Sequence, residues 1–224
     1  MRAVIRVGGS VVASPPNPVI ISKYCSLFRV LKEKGHEIVI VVGGGSLARG
    51  FIEIAKKMDL KEAEQDEIAI SVSRLFAQLF NMGLGNLGSA SVSKSLREAA
   101  HLMEKNRIAI MGGVKPGMTT DAVAALVAKR VGADLLVKAT DQEGIYTRDP
   151  RKYPDAEKID KLSFDDLSHS FEENKHRAGI HQILDPKAVK ILQKERIKTV
   201  IVNGFNPENI ALAIEGKKVG TIIE

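Results

Sequence analysis

The sequence has no tryptophan and a single cysteine, and aromatic residues fill only 4% of its 224 positions. With Cys25 alone, no internal disulfide can form, which fits a reducing compartment, so a cytoplasmic protein is expected. The basic residues are scattered and are not interleaved with Phe or Tyr. A nucleic-acid surface is therefore a poor reading of the formal net charge of +6. An anionic small molecule accounts for that charge more simply. No apolar run approaches the roughly 18 residues that a membrane span needs, and Arg6 and Gly8 interrupt the first one below signal-peptide length. No membrane partner is expected. The histidines (His36, His101, His169, His176, His181) lack metal-ligand spacing, and no Ser-His-Asp or CxxC pattern occurs. Hydrolase and zinc chemistry are thereby disfavoured, and no protein-held metal site is expected.

What is present is ordinary for a globular chain: 44% hydrophobic residues, 27% charged residues and 19 glycines. A short apolar run from Arg2 to Val7 reads as a strand, and Glu37 to Val42 as a stronger one buried on both faces of a parallel sheet. Further strands are expected at Ile108–Met111, Asp134–Lys138, Thr199–Val202 and Gly220–Ile223. Helices are expected at about 19–34, 46–58, 63–81, 96–105, 121–128, 186–194 and 207–214, with a short one near 164–167. The helix at 63–81 carries Ile68, Val72, Leu75, Phe76 and Leu79 on one face, and residues 151–174 read as a charged, loop-rich stretch. Alternating strands and helices imply an α/β fold, a three-layer sandwich around a central, mostly parallel sheet, with right-handed crossovers.

Ligands of an open parallel sheet bind at the carboxyl ends of its strands. This chain places glycine clusters at three such ends: Gly8-Gly9, Gly43-Gly44-Gly45, and Gly112-Gly113 with Gly117. One cluster is ordinarily just a turn. Three of them, each able to bare backbone N–H groups, suit several phosphates lying across one sheet edge. Thr119, Thr120 and Asp121 then open a helix after the third cluster. Two familiar motifs nearly match. Gly43 to Ala48 satisfies G-x-G-x-x-A, but residues 46–81 are helical, so the strand that should carry an acidic residue is missing. Gly112 to Thr119 has Walker A spacing with Met118 where the lysine belongs, so a P-loop is rejected.

Taken together, these motifs resemble the amino acid kinase family, and within it the archaeal-type uridylate (UMP) kinases. The resemblance rests on Gly8-Gly9-Ser10, Gly43-Gly44-Gly45-Ser46-Leu47-Ala48-Arg49-Gly50, Asp66, Gly112-Gly113 through Thr119-Thr120-Asp121-Ala122, and Thr140-Asp141-x-x-Gly144-Ile145-Tyr146-Thr147-x-Asp149-Pro150. It spans nearly the whole chain. It implies one amino acid kinase-like domain over 1–224, the acceptor bound by roughly 1–130 and ATP by roughly 131–224. The implied activity is ATP- and Mg2+-dependent phosphoryl transfer to UMP in pyrimidine nucleotide biosynthesis, by a homohexamer.

The resemblance also implies site residues. Gly9, Ser10, Gly45 and Arg49 would hold the ATP phosphates, and Thr140, Tyr146 and Asp149 the adenine and ribose. UMP would meet Gly44, Asp66 and the segment Val114, Lys115, Pro116, Gly117, Met118, Thr119 and Thr120, with Asp66 on the ribose hydroxyls. Asp121 would be the family's organising aspartate. A bare carboxylate in a phosphate site repels substrate, so Asp121 must hold a Lys, an Arg or a metal. Arg6 stands where these kinases commonly have lysine, and Lys138 is a second candidate cation; Asp121, Arg6 and Lys138 form the expected catalytic set. Two alternatives stay open. A kinase of the same fold could act on a carboxylate, carbamate or isoprenoid phosphate, although isopentenyl phosphate kinases carry a histidine near the position of Arg49. The other is a non-catalytic nucleotide-binding or storage relative.

Overall fold

The computed structural model describes residues 1–172 and 183–224. His176 and His181 and the end of the charged 151–174 stretch lie outside the described residues. Strands β1 (Arg2–Val7), β2 (Glu37–Val42), β3 (Ala109–Met111), β4 (Leu135–Thr140), β7 (Lys161–Leu162), β8 (Lys198–Asn203) and β9 (Thr221–Ile223) build one seven-stranded sheet. Their order is β3-β2-β1-β4-β8-β9-β7. Every neighbouring pair is parallel except β8 with β9. A two-stranded antiparallel ribbon, β5 (Ile145–Tyr146) with β6 (Lys158–Ile159), stands apart. The pairs at 145–146, 158–159 and 161–162 fall where the sequence shows only loop, because two-residue strands carry no periodic signal.

Side chains alternate across the sheet, and each face has its own core. Ala3, Ile5, Val7, Ile38, Ile40 and Val42 face α2 (Pro18–Glu33), α4 (Glu62–Leu84) and α9 (Glu208–Ile214). Val4, Val39, Val41 and Leu136 face α5 (Leu96–Glu104), α6 (Thr120–Val131), α7 (Phe164–Glu172) and α8 (Pro186–Glu195). This is the expected three-layer sandwich. Tyr24, Phe28 and Phe80 cluster with ring centroids 5.7–6.1 Å apart, so three of the few aromatics knit α2 to α4. Cys25 lies buried in the same helix as a small apolar residue.

Helix α4 corrects one expectation. Val72 and Phe76 are buried together with Ile70, Ala77, Phe80 and Leu84, but Leu75 is 54% and Leu79 45% exposed. The apolar residues of α4 occupy two sides of the helix, and only one side meets the sheet. By length and composition α4, continued through the 3-10 turn at Gly85–Leu87, could cross a membrane. Its packing against β2, β3 and α2 makes it a core helix instead.

The first two glycine clusters become turns that touch. Gly8 and Gly9 open a single helical turn, α1 (Gly9–Val12), and Gly44-Gly45 opens α3 (Gly45–Lys57). A Cβ on Gly9 would stand 2.0 Å from the Gly45 nitrogen, and one on Gly45 would stand 2.2 Å from the Gly9 oxygen. Gly45 also has φ of +61°. Here glycine is required by contact and by backbone angle together.

Candidate active site

Parallel register sets Arg6 of β1 directly beside Lys138 of β4. Both belong to the set that points towards α6, so two cations would face one another without compensation. Asp121, in the first turn of α6, stands between them. Its Oδ1 lies 2.7 Å from Arg6 Nε, and its Oδ2 accepts from Lys138 Nζ. Arg6 also donates to the Thr120 hydroxyl at 3.0 Å, and Lys138 donates to the Ile183 carbonyl. Lys138 is only 5% exposed, the opposite of the solvated strand-end charge that a lysine usually is.

Burial works against the Asp121 charge, but Arg6 and Lys138 outweigh it and hold the carboxyl below its ordinary range. For Lys138 burial wins over the attraction of Asp121, so its ammonium loses its proton more readily than a surface lysine does. The three groups carry a net single positive charge. The Arg6–Asp121 contact is an ion pair without hydrogen-bond alignment, since Arg6 Nε and Asp121 Oδ1 are buried and have no aligned partner among the described residues.

One cavity opens on this triad, and a second adjoins it. One, of 490 Å³, is lined by Arg6, Gly9, Ser10, Gly43, Gly44, Gly45, Arg49, Thr120, Asp121, Lys138, Thr140, Asp141, Gln142, Arg151 and Ile183. The other, of 550 Å³, is lined by Gly44, Ala48, Arg49, Ile52, Asp66, Ala69, Ile70, Ser73, Gly113, Lys115, Gly117, Met118, Thr119 and Thr120. Gly44, Arg49 and Thr120 belong to both. The first cavity has glycine turns for a floor and cations for walls, which suits a chain of phosphates. The second is walled by a helix face and a loop, and a single anionic group at its inner end would meet Arg49.

A family model described as the amino acid kinase family matches residues 1–203. The chain belongs to the amino acid kinase family. It is 39% identical over 226 aligned residues to the uridylate kinase of Methanocaldococcus jannaschii, and all of both chains is covered. With the uridylate kinase of Thermococcus kodakarensis the identity is 38% over 225 residues, again covering both completely. The crystal structure of uridylate kinase from Archaeoglobus fulgidus matches with a TM-score of 0.89 at 33% identity, covering 100% of each chain.

In this amino acid kinase the expected residues fall as follows. Arg6, Lys138, Asp121, Gly9, Ser10, Gly45, Arg49 and Thr140 share the first cavity. Gly44, Asp66, Lys115, Gly117, Met118, Thr119 and Thr120 line the second. Val114 and Pro116 are half-buried parts of the same loop that do not line it. Tyr146 and Asp149 do not line the first cavity either. Asp149 is 4% exposed, and hydrogen bonds from Arg151 hold its carboxyl below the usual range. Asp66 Oδ2 accepts from the Gly117 N–H at 2.6 Å, so this carboxylate fastens the loop to α4.

Three residues of this amino acid kinase carry parts the sequence did not announce. Arg74 of α4 donates from Nε to the Gly113 carbonyl at 2.9 Å and from Nη2 to that of Val114 at 3.0 Å, gripping the loop from behind. Asp185 caps α8 through the Lys187 N–H at 2.7 Å, accepts from the Thr119 hydroxyl, and lends a main-chain hydrogen bond to Asp121. Asp185-Pro186 is a recognisable helix start. Nothing local ties it to Thr119, 66 residues away. Arg151, on the lining of the first cavity, is the third: it donates from Nε and Nη2 to the Asp149 carboxylate.

Proposed function

We infer that this amino acid kinase is a uridylate kinase, moving the terminal phosphoryl group of ATP to UMP and yielding ADP and UDP. The observation that carries the reading is the meeting of two cavities at Gly44, Arg49 and Thr120, with the Asp121–Arg6–Lys138 triad lining the first of them beside Thr120. Phosphoryl transfer asks for two phosphates aligned and their charge neutralised, with little covalent help.

The donor phosphates would lie on Gly9, Ser10 and Gly45, whose main chain offers N–H groups without added charge. Arg49 would span donor and acceptor phosphates from the shared wall. Asp121 would act as a positioning residue, and the net positive charge of its triad would be spent on the transferring group as its oxygens take up charge. One unit charge at about 4 Å is worth on the order of 4 kcal/mol at an effective dielectric near 20. UMP would occupy the second cavity, its uridine end towards Asp66 and the 115–118 loop. The acceptor cavity is lined wholly from residues 44–120, in keeping with acceptor binding by roughly 1–130. The nucleoside end of ATP would fall to the part from roughly 131 onwards, including Thr140, with Tyr146 placed nearby in sequence.

Mg2+ would supply further neutralisation of phosphate charge when bound. Among the described residues no group of three His, Cys, Asp or Glu is placed to hold a metal. Such an ion would therefore come with the nucleotide, and Asp141 is the cavity's second carboxylate. The reading includes a cytoplasmic role in pyrimidine nucleotide synthesis and assembly as a homohexamer. Support for assembly comes from Phe51 and Ile54 on α3, Met58 just past its end, and Leu75, Leu79 and Met82 on α4, which are 44–67% exposed.

A nucleotide panel tests the function. With ATP as donor, turnover on UMP should exceed that on CMP, AMP and isopentenyl phosphate. Preference for any of the other three, or no transfer at all, sinks the reading.

A further inference from the structure

The acceptor loop is held from two sides. Asp66 and Arg74 of α4 fasten its residues 113–117 to the helix face that walls the acceptor cavity. A second set of bonds comes from the stretch 183–187, which leads into α8. There Asp185 Oδ1 accepts from the Lys187 N–H at 2.7 Å and caps the helix, while Oδ2 accepts from the Thr119 hydroxyl. Lys187 Nζ donates to the Gly117 carbonyl at 3.4 Å. The Thr119 oxygen also accepts from the Ala122 N–H at 3.1 Å and so caps α6. One hydroxyl therefore ties the first turns of two helices together, giving its proton to Asp185 and a lone pair to α6.

The same stretch reaches the charged triad. The Ile183 carbonyl accepts from Lys138, and the Asp185 main chain lies beside Asp121, two residues on from Thr119. Ile183 lines the donor cavity and Thr119 the acceptor cavity, while Asp185 lines neither. Stability is a poor account of the Asp185–Thr119 bond. Asp185 is half-buried and Thr119 exposed, and a hydrogen bond this open to water adds only on the order of 1 kcal/mol. Capping does not explain it either, because one side-chain oxygen suffices to cap a helix, and Ser, Thr or Asn would serve. The second oxygen of the carboxylate goes instead to a cavity-lining residue 66 positions away. What that oxygen fixes is the place of the acceptor wall relative to α6 and Lys138.

We propose that Asp185 is a positioning residue for phosphoryl transfer, acting through Thr119 to hold the acceptor wall in line with Asp121 and Lys138. The proposal rests on the kinase reading above. It separates two kinds of hold on one loop. Asp66 and Arg74 tie the loop to α4, which carries no member of the triad, so they bear on how tightly UMP is bound. Asp185 ties it to the start of α6 and to the stretch that meets Lys138. It therefore bears on where the bound acceptor stands when the phosphoryl group moves. A misplacement of about 1 Å at that moment is worth up to about 100-fold in rate.

Steady-state and single-turnover kinetics on the full chain test this. In Asp185→Asn the amide oxygen still caps α8, but an NH2 group stands where Thr119 donates. Its kcat should fall about tenfold or more, its KM for ATP should stay within twofold, and its melting temperature should move by about 4 °C or less. Asp185→Ser keeps a capping oxygen without the second one. It should behave in the same way, and it carries the test if Asp185→Asn does not fold. Thr119→Ser keeps the hydroxyl and should keep kcat within twofold. In a Thr119→Val background, Asp185→Asn should change kcat less than twofold. Unchanged kcat in Asp185→Asn, or a loss confined to KM for UMP, overturns the proposal. So does a full second loss in the double variant, or a Thr119→Ser as slow as Thr119→Val. A wild-type chain that transfers no phosphoryl group to UMP refutes the kinase reading. Wild-type turnover with normal kcat in Asp185→Asn refutes only this inference.

Discussion

Arg6 and Lys138 stand side by side on neighbouring parallel strands, two positive charges in register with one carboxylate, Asp121, between them. Like charges set opposite one another across strands repel. The start of α6 supplies the compensation, and helix direction helps, because a negative group is favoured in the first turn. Replacing Asp121 with Asn leaves two cations facing each other, one of them almost wholly buried. Removing one member of such a set costs about 3–5 kcal/mol of stability. Asp121→Asn should lower kcat by at least about 100-fold, more than Arg6→Ala or Lys138→Ala. Denaturant melts and single-turnover assays on the three variants would show it, and near-normal kcat in Asp121→Asn would refute the triad.

The pH profile should follow from the same three groups. Asp121 has a folded-state pKa below its unfolded one, so its stabilising share is complete above the ordinary carboxylate range. That share is lost only as pH falls through the lower, folded value. Lys138 has its pKa lowered by burial, so below the folded value its charge weakens folding. This penalty is relieved as pH rises from the folded towards the ordinary lysine value. Activity that needs the ammonium should therefore decline on the alkaline side at lower pH than a solvated lysine would dictate. Lys138→Arg should shift that limb upward in a kcat against pH profile; an unmoved limb would assign it elsewhere.

Glycine substitutions should have opposite signs at the Gly9 turn and inside α3. Gly9→Ala forces its methyl to within 2.0 Å of the Gly45 nitrogen. A clash with backbone on that scale should cost more than about 2 kcal/mol and abolish nucleotide binding. Gly50→Ala, five residues into α3, meets nothing within 4 Å and has no positive φ. It should raise stability by about 0.5–1 kcal/mol. Thermal melts of the two variants with and without ATP provide the comparison.

Arg74→Ala should act on the acceptor side alone. Loss of two hydrogen bonds to the Gly113 and Val114 carbonyls frees the loop that lines the second cavity, at a cost of about 1–3 kcal/mol. KM for UMP should rise by a factor of about ten or more while KM for ATP stays within twofold. Equal effects on both constants would mean that the loop is held by other means.

Assembly should depend on the outer face of α3 and α4. Leu75→Asp with Leu79→Asp places two charges on residues that the single chain leaves in water, so the folded monomer should be little perturbed. If that face joins copies, light scattering should report smaller particles for the double variant than for the wild type. An unchanged mass would move the interface elsewhere.

Much of this architecture is legible in the sequence. Glu37 to Val42 reads as a strand buried on both faces and is one, and Thr119 caps α6 through the Ala122 N–H as its residue type suggests. The three glycine clusters marked one sheet edge because a strand end, a turn and a helix start are all local signals. What stayed hidden was long-range. Leu75 and Leu79 lie off the buried face of α4 because apolar residues line two sides of that helix, and periodicity does not say which side meets the sheet. Arg74 and Asp185 find their partners 39 to 66 residues away, and Arg151 looks like any loop cation until the turn around it is seen. Lys138 reads as a surface charge in isolation, but the start of α6 covers it and sets Asp121 against it.

The contact between Gly9 and Gly45 divides the molecule into parts with different freedom to change. Two turns from separate strands are seated backbone against backbone, with no side chain between them to adopt another rotamer or be exchanged for a larger one. The shelf they make is hard to retune by point substitution and as insensitive to side-chain thermal motion as the sheet itself. Selectivity for one acceptor over another must then reside in the helix face and loop opposite. Directed evolution towards a new acceptor should accumulate changes at positions such as Ile52, Ala69 and Met118 and leave the glycine shelf untouched.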